Sequence, residues 1–396
     1  MIEKKYGFIE KVAVLSVALL MYTTSMTTPA LGEISKAFPN ASSELVKQIA
    51  SLPSLMMVAF SLVAGQLERF MSKKKILCIA MLFQFVGGML PIFANSITFI
   101  LVTRVIFGVG YGLLFPLSTP LLADMFQGDE FKRLLGYKAS IGAIAGVVFQ
   151  MLGGFLAAIN WRYSFLGFLL MIPICLLIIL KLPDIGDKKV SGDKNDTSKS
   201  KLTSKTYILS ILNLLLNILQ FTFMTNIAIV MAAGKVGNAA KAGMVLTAFT
   251  GGAFAAGLLY GRIFNIFKRF TIAISVGLLG ISFLILLNVN TYSMYLLAGI
   301  IFGLGFGTYN PDYAAKLVVS SDKSISARTF SVSVALQGLG QFVSPIILGS
   351  ITSIFALKGP KADWVVASVC LLSACVVMSL VIAFTKLKIG NVSESE

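Results

Sequence analysis

The chain has 396 residues, 57% of them hydrophobic and 13% charged, with a formal net charge of +16. Soluble domains carry about 45–50% apolar and about 25% charged residues, so no water-soluble core needs this composition, and disorder and collagen-like repeats are excluded as well. The absence of His removes imidazole bases and His-ligated haem or zinc.

A bilayer-spanning helix takes about 20 mostly apolar residues. Twelve runs qualify, at 12–32, 47–66, 76–95, 98–121, 136–158, 163–182, 206–231, 242–263, 270–288, 293–315, 329–354 and 364–386. The first follows Lys4, Lys5 and Lys11, is long and lacks a cleavage site, so it reads as a retained signal anchor. Runs such as Phe165–Leu182 do not alternate apolar with polar residues, which excludes a closed β-barrel. Between the sixth and seventh runs, residues 183–205 are rich in Lys, Asp, Ser and Thr and read as a solvated cytoplasmic tether. The four cysteines lie inside apolar runs without C-x-x-C spacing.

With the N-terminus inside, the internal segments hold 25 of the 33 Lys and Arg residues and the external segments hold 7. The remaining one, Arg104, lies within a span. The positive charge is thus a topological label and implies no nucleic-acid partner. It predicts a multi-pass plasma-membrane protein with both termini cytoplasmic.

The chain repeats itself. Ile106–Pro116 (IFGVGYGLLFP) and Ile301–Pro311 (IFGLGFGTYNP) share Ile, Phe, three Gly and Pro at an offset of 195. The same offset carries Arg133 onto Arg328 and Gly154 onto Gly349, and an offset of 192 carries Ala64-Gly65 onto Ala256-Gly257. The expected fold is all-α and integral to the membrane, with twelve transmembrane helices in two pseudo-symmetric six-helix bundles. Residues 1–182 and 206–396 form the bundles, and 183–205 joins them. Two parallel repeats around a central site are a transporter architecture.

Several motifs carry a family resemblance. Gly65, Leu67, Lys73, Lys74 and Lys75 match the loop after helix two of the major facilitator superfamily, but Arg69 stands in place of its acid, Glu68 comes one position early, and Ser72 replaces its second Gly. Arg104, Gly108, Gly110 and Gly112 match its helix-four signature. Asp124 and Arg133 match the cytoplasmic end of that helix, and Trp161, Arg162 and Phe165 match the start of helix six. In the helix-five antiporter motif Gly153 and Gly154 fit, while Phe149 and Gln150 replace Gly-Pro. The sequence resembles the twelve-helix drug/proton antiporter-like efflux proteins of that superfamily. The resemblance implies a secondary transporter, not an enzyme. It would work by alternating access as a monomer without a cofactor, most simply by proton-coupled efflux of a small organic solute. Uptake or facilitated diffusion of a small metabolite is the alternative.

A charge inside a span costs about 2.5–3.5 kcal/mol on insertion scales, so it faces a cavity or a partner. Arg104 is read either as a coupling element, as the resemblance implies, or as a structural Arg that binds helix-end carbonyls. Asp312 is read as a proton acceptor or gate, or as a helix-end acid. The repeat sets it equivalent to Leu117, thirteen residues beyond Arg104. At 1.5 Å per residue that is roughly 20 Å of depth, so no direct pair is expected.

Asn213, Asn217 and Gln220 lie on one helical face of span seven, and Gln337, Gln341 and Ser344 lie on one face of span eleven. With Gln150, Tyr111 and Tyr309 they are candidates for the substrate cavity. Interhelical hydrogen bonding is the other reading of the amides, and plain packing that of the tyrosines. Gly65, Glu68, Arg69, Lys73, Asp124 and Arg133 form a candidate cytoplasmic gate, in which Asp124 meets Arg69 or Lys73. Gly108 and Gly112, like Gly303 and Gly307, form G-x-x-x-G faces for close helix packing.

Overall fold

The computed structural model describes residues 6–184, 204–319 and 326–393. The tether expected at 183–205 falls outside them except at its two ends. Among the described residues every regular element is helical. We number the long helices in chain order: α1 (Phe8–Met21, continued after a bend as Thr23–Ala37), α2 (Ser43–Leu67), α3 (Lys73–Phe93), α4 (Ile97–Met125), α5 (Gly128–Ile159), α6 (Tyr163–Lys181), α7 (Ser204–Ala233), α8 (Ala239–Phe267), α9 (Thr271–Asn288), α10 (Tyr292–Val319), α11 (Ser326–Ile354) and α12 (Ala362–Ser393).

By length and hydropathy, ten helical stretches among the described residues can cross a membrane, or eleven with the two parts of α1 taken as one bent span. Twelve were expected. The difference lies in one 50-residue stretch, Ala239–Asn288, which holds both α8 and α9. At 1.5 Å per residue such a stretch would be roughly 75 Å long, more than twice the hydrocarbon thickness. It is broken at Lys268, whose φ of +49° no α-helix accommodates.

Two other elements depart from the expected spans. α1 is not one straight helix: it bends by 43° after Met21. There the Thr23 hydroxyl bonds back to the Leu20 carbonyl at 2.9 Å and Pro29 supplies no N–H, so the chain passes through two short 3₁₀ turns. α5 begins at Gly128, eight residues before its expected start at 136. Asp129 and Glu130 are therefore first-turn acids at a helix N-terminus. Ser42, Ser96 and Asn238 cap α2, α4 and α8 by accepting backbone N–H bonds.

The glycine repeats set the packing. Gly108 and Gly112 press on Met56 and Phe60 of α2, while Gly110 presses on the Ala80 carbonyl and Gln84 of α3. In the second half Gly303 and Gly307 press on Phe249 and Ala253 of α8, and Gly305 presses on Ser275 and Leu278 of α9. Thus α4 wedges between α2 and α3 as α10 wedges between α8 and α9, and a methyl group at these positions would meet a neighbouring helix. The halves join through α2 against α11, α5 against α8, and α1 against α7. Under the repeat, α2 and α11 exchange places with α8 and α5, so the two main joints are equivalent.

Candidate functional site

The joints are closed at one end. We call the face that carries Lys73–Lys75 the basic face and the opposite one the far face. Along α5 and α8, Gly154 lies on the Ala239 carbonyl, Gly243 lies on the Gln150 carbonyl, and Thr250 donates to Gln150 Oε1 at 2.9 Å. Along α2 and α11, Gly349 lies on Glu44, Ser54 donates to Gln341 Oε1 at 2.9 Å, and Gly338 meets Val58. Toward the basic face, Gly65, Gly136 and Gly261 look onto open space. The halves therefore meet through the far side and the middle of the bundle and part toward the basic face.

The amides named from the sequence fall into separate groups. Asn213, Asn217 and Gln220 are buried. Asn217 Nδ2 donates to Asn213 Oδ1 at 3.1 Å, and the Tyr309 hydroxyl donates to the same oxygen at 2.9 Å. Gln220 Oε1 is buried, and among the described residues no donor reaches it. Gln150 and Gln341 serve the two joints, Gln337 is half-buried four residues nearer the basic face, and Ser344 donates to the Ile218 carbonyl at 2.6 Å. Tyr111 stacks on Phe107 with centroids 6.2 Å apart.

Arg104 and Asp312 keep different company. Arg104 is 1% exposed; it donates to the Gly87 carbonyl of α3 and, at 3.4 Å, to the Thr27 hydroxyl of α1. Its guanidinium lies 5.0 Å from the Phe107 ring, 5.2 Å from Phe165 and 5.8 Å from Phe168. It thus staples α1, α3, α4 and α6 together. Asp312, also 1% exposed, receives Lys316 Nζ at 2.5 Å and the Tyr260 hydroxyl of α8 at 3.0 Å. Lys316 sits one turn away on the same face of α10, a pairing legible in the sequence; Tyr260 comes from another helix and was not.

At the basic face Lys73 Nζ lies 2.5 Å from Asp124 and 3.8 Å from Glu68, so the base that Asp124 meets is Lys73. Burial raises the Glu68 carboxyl above its ordinary range; Lys73 opposes the shift and Asp124 adds to it. Arg133 lies over the Tyr137 ring at 5.9 Å, and Lys11 pairs with Glu130 at 2.5 Å.

Sequence reasoning missed one charged pair. Lys47 of α2 and Asp363 of α12 sit 2.6 Å apart with both side chains 6% exposed. Lys47 opens the expected span 47–66 and Asp363 stands one residue before the span 364–386, so each reads as a charge at a span boundary.

The family model described as Major Facilitator Superfamily matches residues 13–234. The chain belongs to the major facilitator superfamily. Within it, the chain is similar to the quinolone resistance protein NorA of Staphylococcus aureus (strain MSSA476), 22% identical over 349 residues that cover 85% of this chain and 88% of the relative. It is 30% identical to the bacillibactin exporter of Bacillus subtilis (strain 168) over 162 residues, 39% of this chain and 40% of that protein. The crystal structure of the nucleoside transporter NupG superposes with a TM-score of 0.75 at 15% identity, covering 94% of this chain and 98% of that one, which shows the shared fold. This major facilitator protein is accordingly a multi-pass membrane transporter and not an enzyme.

Proposed function

We propose that this major facilitator transporter exports a small organic solute across the plasma membrane in exchange for protons, as a monomer, with its basic face and both termini cytoplasmic. Residues 1–182 and 206–396 rock against each other around a central site, and 183–205 tethers them. The observation that carries the reading is the one-sided closure of the α2–α11 and α5–α8 joints, which leaves the path between the halves open only at the basic face. Gln220 Oε1, buried and without a donor among the described residues, is a hydrogen-bonding position for solute in that path. Asn217, Asn213 and Tyr309 form the wall beside it. Asp312, held by Lys316 and Tyr260, is the proton-accepting group on this side. Arg104 holds the first half rigid around the coupling path. Lys73, Asp124, Glu68, Arg69, Arg133 and Gly65 form the cytoplasmic gate. The direction follows the resistance protein and the exporter among the relatives.

Uptake or facilitated diffusion is the second reading. It is favoured by Phe149-Gln150 in place of Gly-Pro and by the middle of α1, where Thr23–Thr28 supplies hydroxyls and no carboxyl group to carry a proton. Solute flux in vesicles of both orientations, with and without an imposed pH gradient, decides between the two. Proton-driven movement away from the basic face supports export. Gradient-independent equilibration would overturn it.

A further inference from the structure

The Lys47–Asp363 pair lies at the far-face ends of α2 and α12, where the two halves are closed. Among the described residues Lys47 is the one member from the first half. Asp363 and its remaining partner belong to the second: Asn226 Nδ2 of α7 donates to the same carboxylate oxygen at 2.8 Å and also bonds the Thr222 hydroxyl at 2.5 Å. The Trp364 indole, fully buried, seals the next position and donates to the Thr222 carbonyl at 3.4 Å.

An ion pair buried across a moving joint poses an electrostatic problem. When the far face opens, Lys47 leaves with the first half and takes its charge to water. Asp363 stays behind, and an unpaired carboxylate in such surroundings is strongly disfavoured unless it is neutralised. The structure contains the means. Asn226 Oδ1 is buried and, among the described residues, receives no donor. Rotating the amide by half a turn puts that oxygen where Nδ2 now sits, within reach of both Asp363 Oδ2 and the Thr222 hydroxyl. In that arrangement a protonated Asp363 donates to Asn226, and Thr222 donates instead of accepting. The same three residues therefore keep Asp363 hydrogen-bonded to Asn226, and Asn226 to Thr222, both with Asp363 ionised against Lys47 and with Asp363 protonated without it.

We propose that Asp363 is a far-face proton site at which Lys47 and a proton compete: the Lys47–Asp363 pair locks the far face shut, and protonation of Asp363, accepted by Asn226, holds it open. The bookkeeping is simple, since the carboxylate gains one proton as it loses one ammonium partner and the site stays neutral throughout. The inference rests on the alternating-access part of the proposed function and adds a second titrating acid to Asp312. The charged groups nearby are few. Glu44 lies one turn before Lys47, against Gly349 of α11. Lys361 precedes Asp363 by two residues and is held by the Leu286 carbonyl at 2.7 Å and Asn290 Oδ1 at 2.8 Å at the end of α9. Glu33 and Lys36 of α1 pair with each other at 3.0 Å. From α7 come Thr222 and Asn226, and from α10 the Tyr295 ring, 6.4 Å from Trp364. Lys47 is the one cation bonded to Asp363 among them.

The test uses the full chain in nanodiscs, with Cys78, Cys175, Cys370 and Cys375 replaced by Ala. Spin labels at Asn40, before α2, and Lys358, before α12, report the far-face distance. The expected result is a wild-type distribution that gains a longer component on moving from alkaline to acidic buffer. Asp363→Asn should hold the long component at every pH, and Asp363→Glu should restore the response. The double variant Lys47→Gln/Asp363→Asn leaves no buried charge behind and should also lose the response. A wild-type distance that ignores pH, or an Asp363→Asn or double variant that keeps the wild-type response, overturns the proposal. Solute flux is measured separately. A normal distance response without proton-driven export removes the efflux reading and keeps the lock, and export with a pH-blind far face does the reverse.

Discussion

Ser54 donates a hydrogen bond to Gln341 across the two halves at 2.9 Å, and Thr250 makes the matching bond to Gln150 at the same length. Each joint thus has a hydroxyl on one helix and an amide oxygen on the other, related by the exchange of α2 and α11 with α8 and α5. They mark where contact between the halves gives way to open space. A neutral hydrogen bond contributes about 1 kcal/mol, roughly a fivefold change in an equilibrium. Gln341→Leu should shift the ratio of basic-face-open to far-face-open states about fivefold, and Gln150→Leu by a similar factor. Accessibility labelling of cysteines placed at the two faces measures the ratio; an unchanged ratio in both variants would remove the joints from the mechanism.

These two glutamines show what the sequence could and could not say. That both turn away from lipid was legible, since an amide facing lipid is costly. Their partners were not, because Ser54 and Thr250 are ordinary helix hydroxyls until the halves are assembled. The same division holds elsewhere. The glycine repeat foretold close packing of α4 and α10, because periodicity alone puts Gly303 and Gly307 on one face, but not the second contact that Gly110 and Gly305 make with α3 and α9. Lys47 and Asp363 escaped because each stands at a span boundary, where a charge ordinarily meets water, and hydropathy counting cannot see a partner 316 residues away. The bend at Tyr22 escaped because α1 has the length and apolarity of a straight helix.

Gly307 lies on the Ala253 carbonyl and Gly303 on the Phe249 carbonyl, both backbone atoms that cannot rotate aside. Gly65 meets nothing within 4 Å. Overpacking typically costs about 1–3 kcal/mol. Gly307→Ala and Gly303→Ala should each lower the melting temperature in detergent and reduce the yield of monodisperse protein, while Gly65→Ala should leave both unchanged. Equal melting temperatures for all three variants would contradict the packing described for α8 and α10.

Asp124 and Lys73 are partly exposed, and pairs of this kind contribute about 0–1 kcal/mol to stability. Breaking the pair should therefore affect gating rather than folding. Asp124→Lys is expected to slow solute flux several-fold with an unaltered melting temperature, and the swapped Lys73→Asp/Asp124→Lys double variant to recover part of the rate. A reversal variant as fast as wild type would discard the gate.

Asp312 is enclosed by Lys316 and Tyr260, so its charge is balanced within α10 and its position is fixed from α8. Asp312→Asn keeps the shape and removes the titration. It should abolish flux driven by a pH gradient and spare solute exchange at equal pH. Tyr260→Phe removes one donor and should lower the rate by less. Proton-driven flux that survives Asp312→Asn transfers the coupling to another acid.

The pH dependence of Glu68 has a definite sign. Burial of the carboxyl, with the Asp124 charge adding to it and Lys73 opposing it, raises its pKa in the folded protein above the unfolded value of 4.5. The folded state therefore holds this proton more tightly than the unfolded chain does. The resulting stability is fully present below the unfolded value and is lost as pH rises through the folded one. Ionising Glu68 in the folded protein thus carries a cost that a neutral amide of the same shape does not. Glu68→Gln should melt higher than wild type at neutral pH, with the gap closing on acidification and absent below pH 4.5. Asp124→Asn removes one cause of the shift and should narrow the gap. A Glu68→Gln variant that melts lower than wild type at neutral pH would mean that attraction to Lys73 outweighs burial at this corner of the gate.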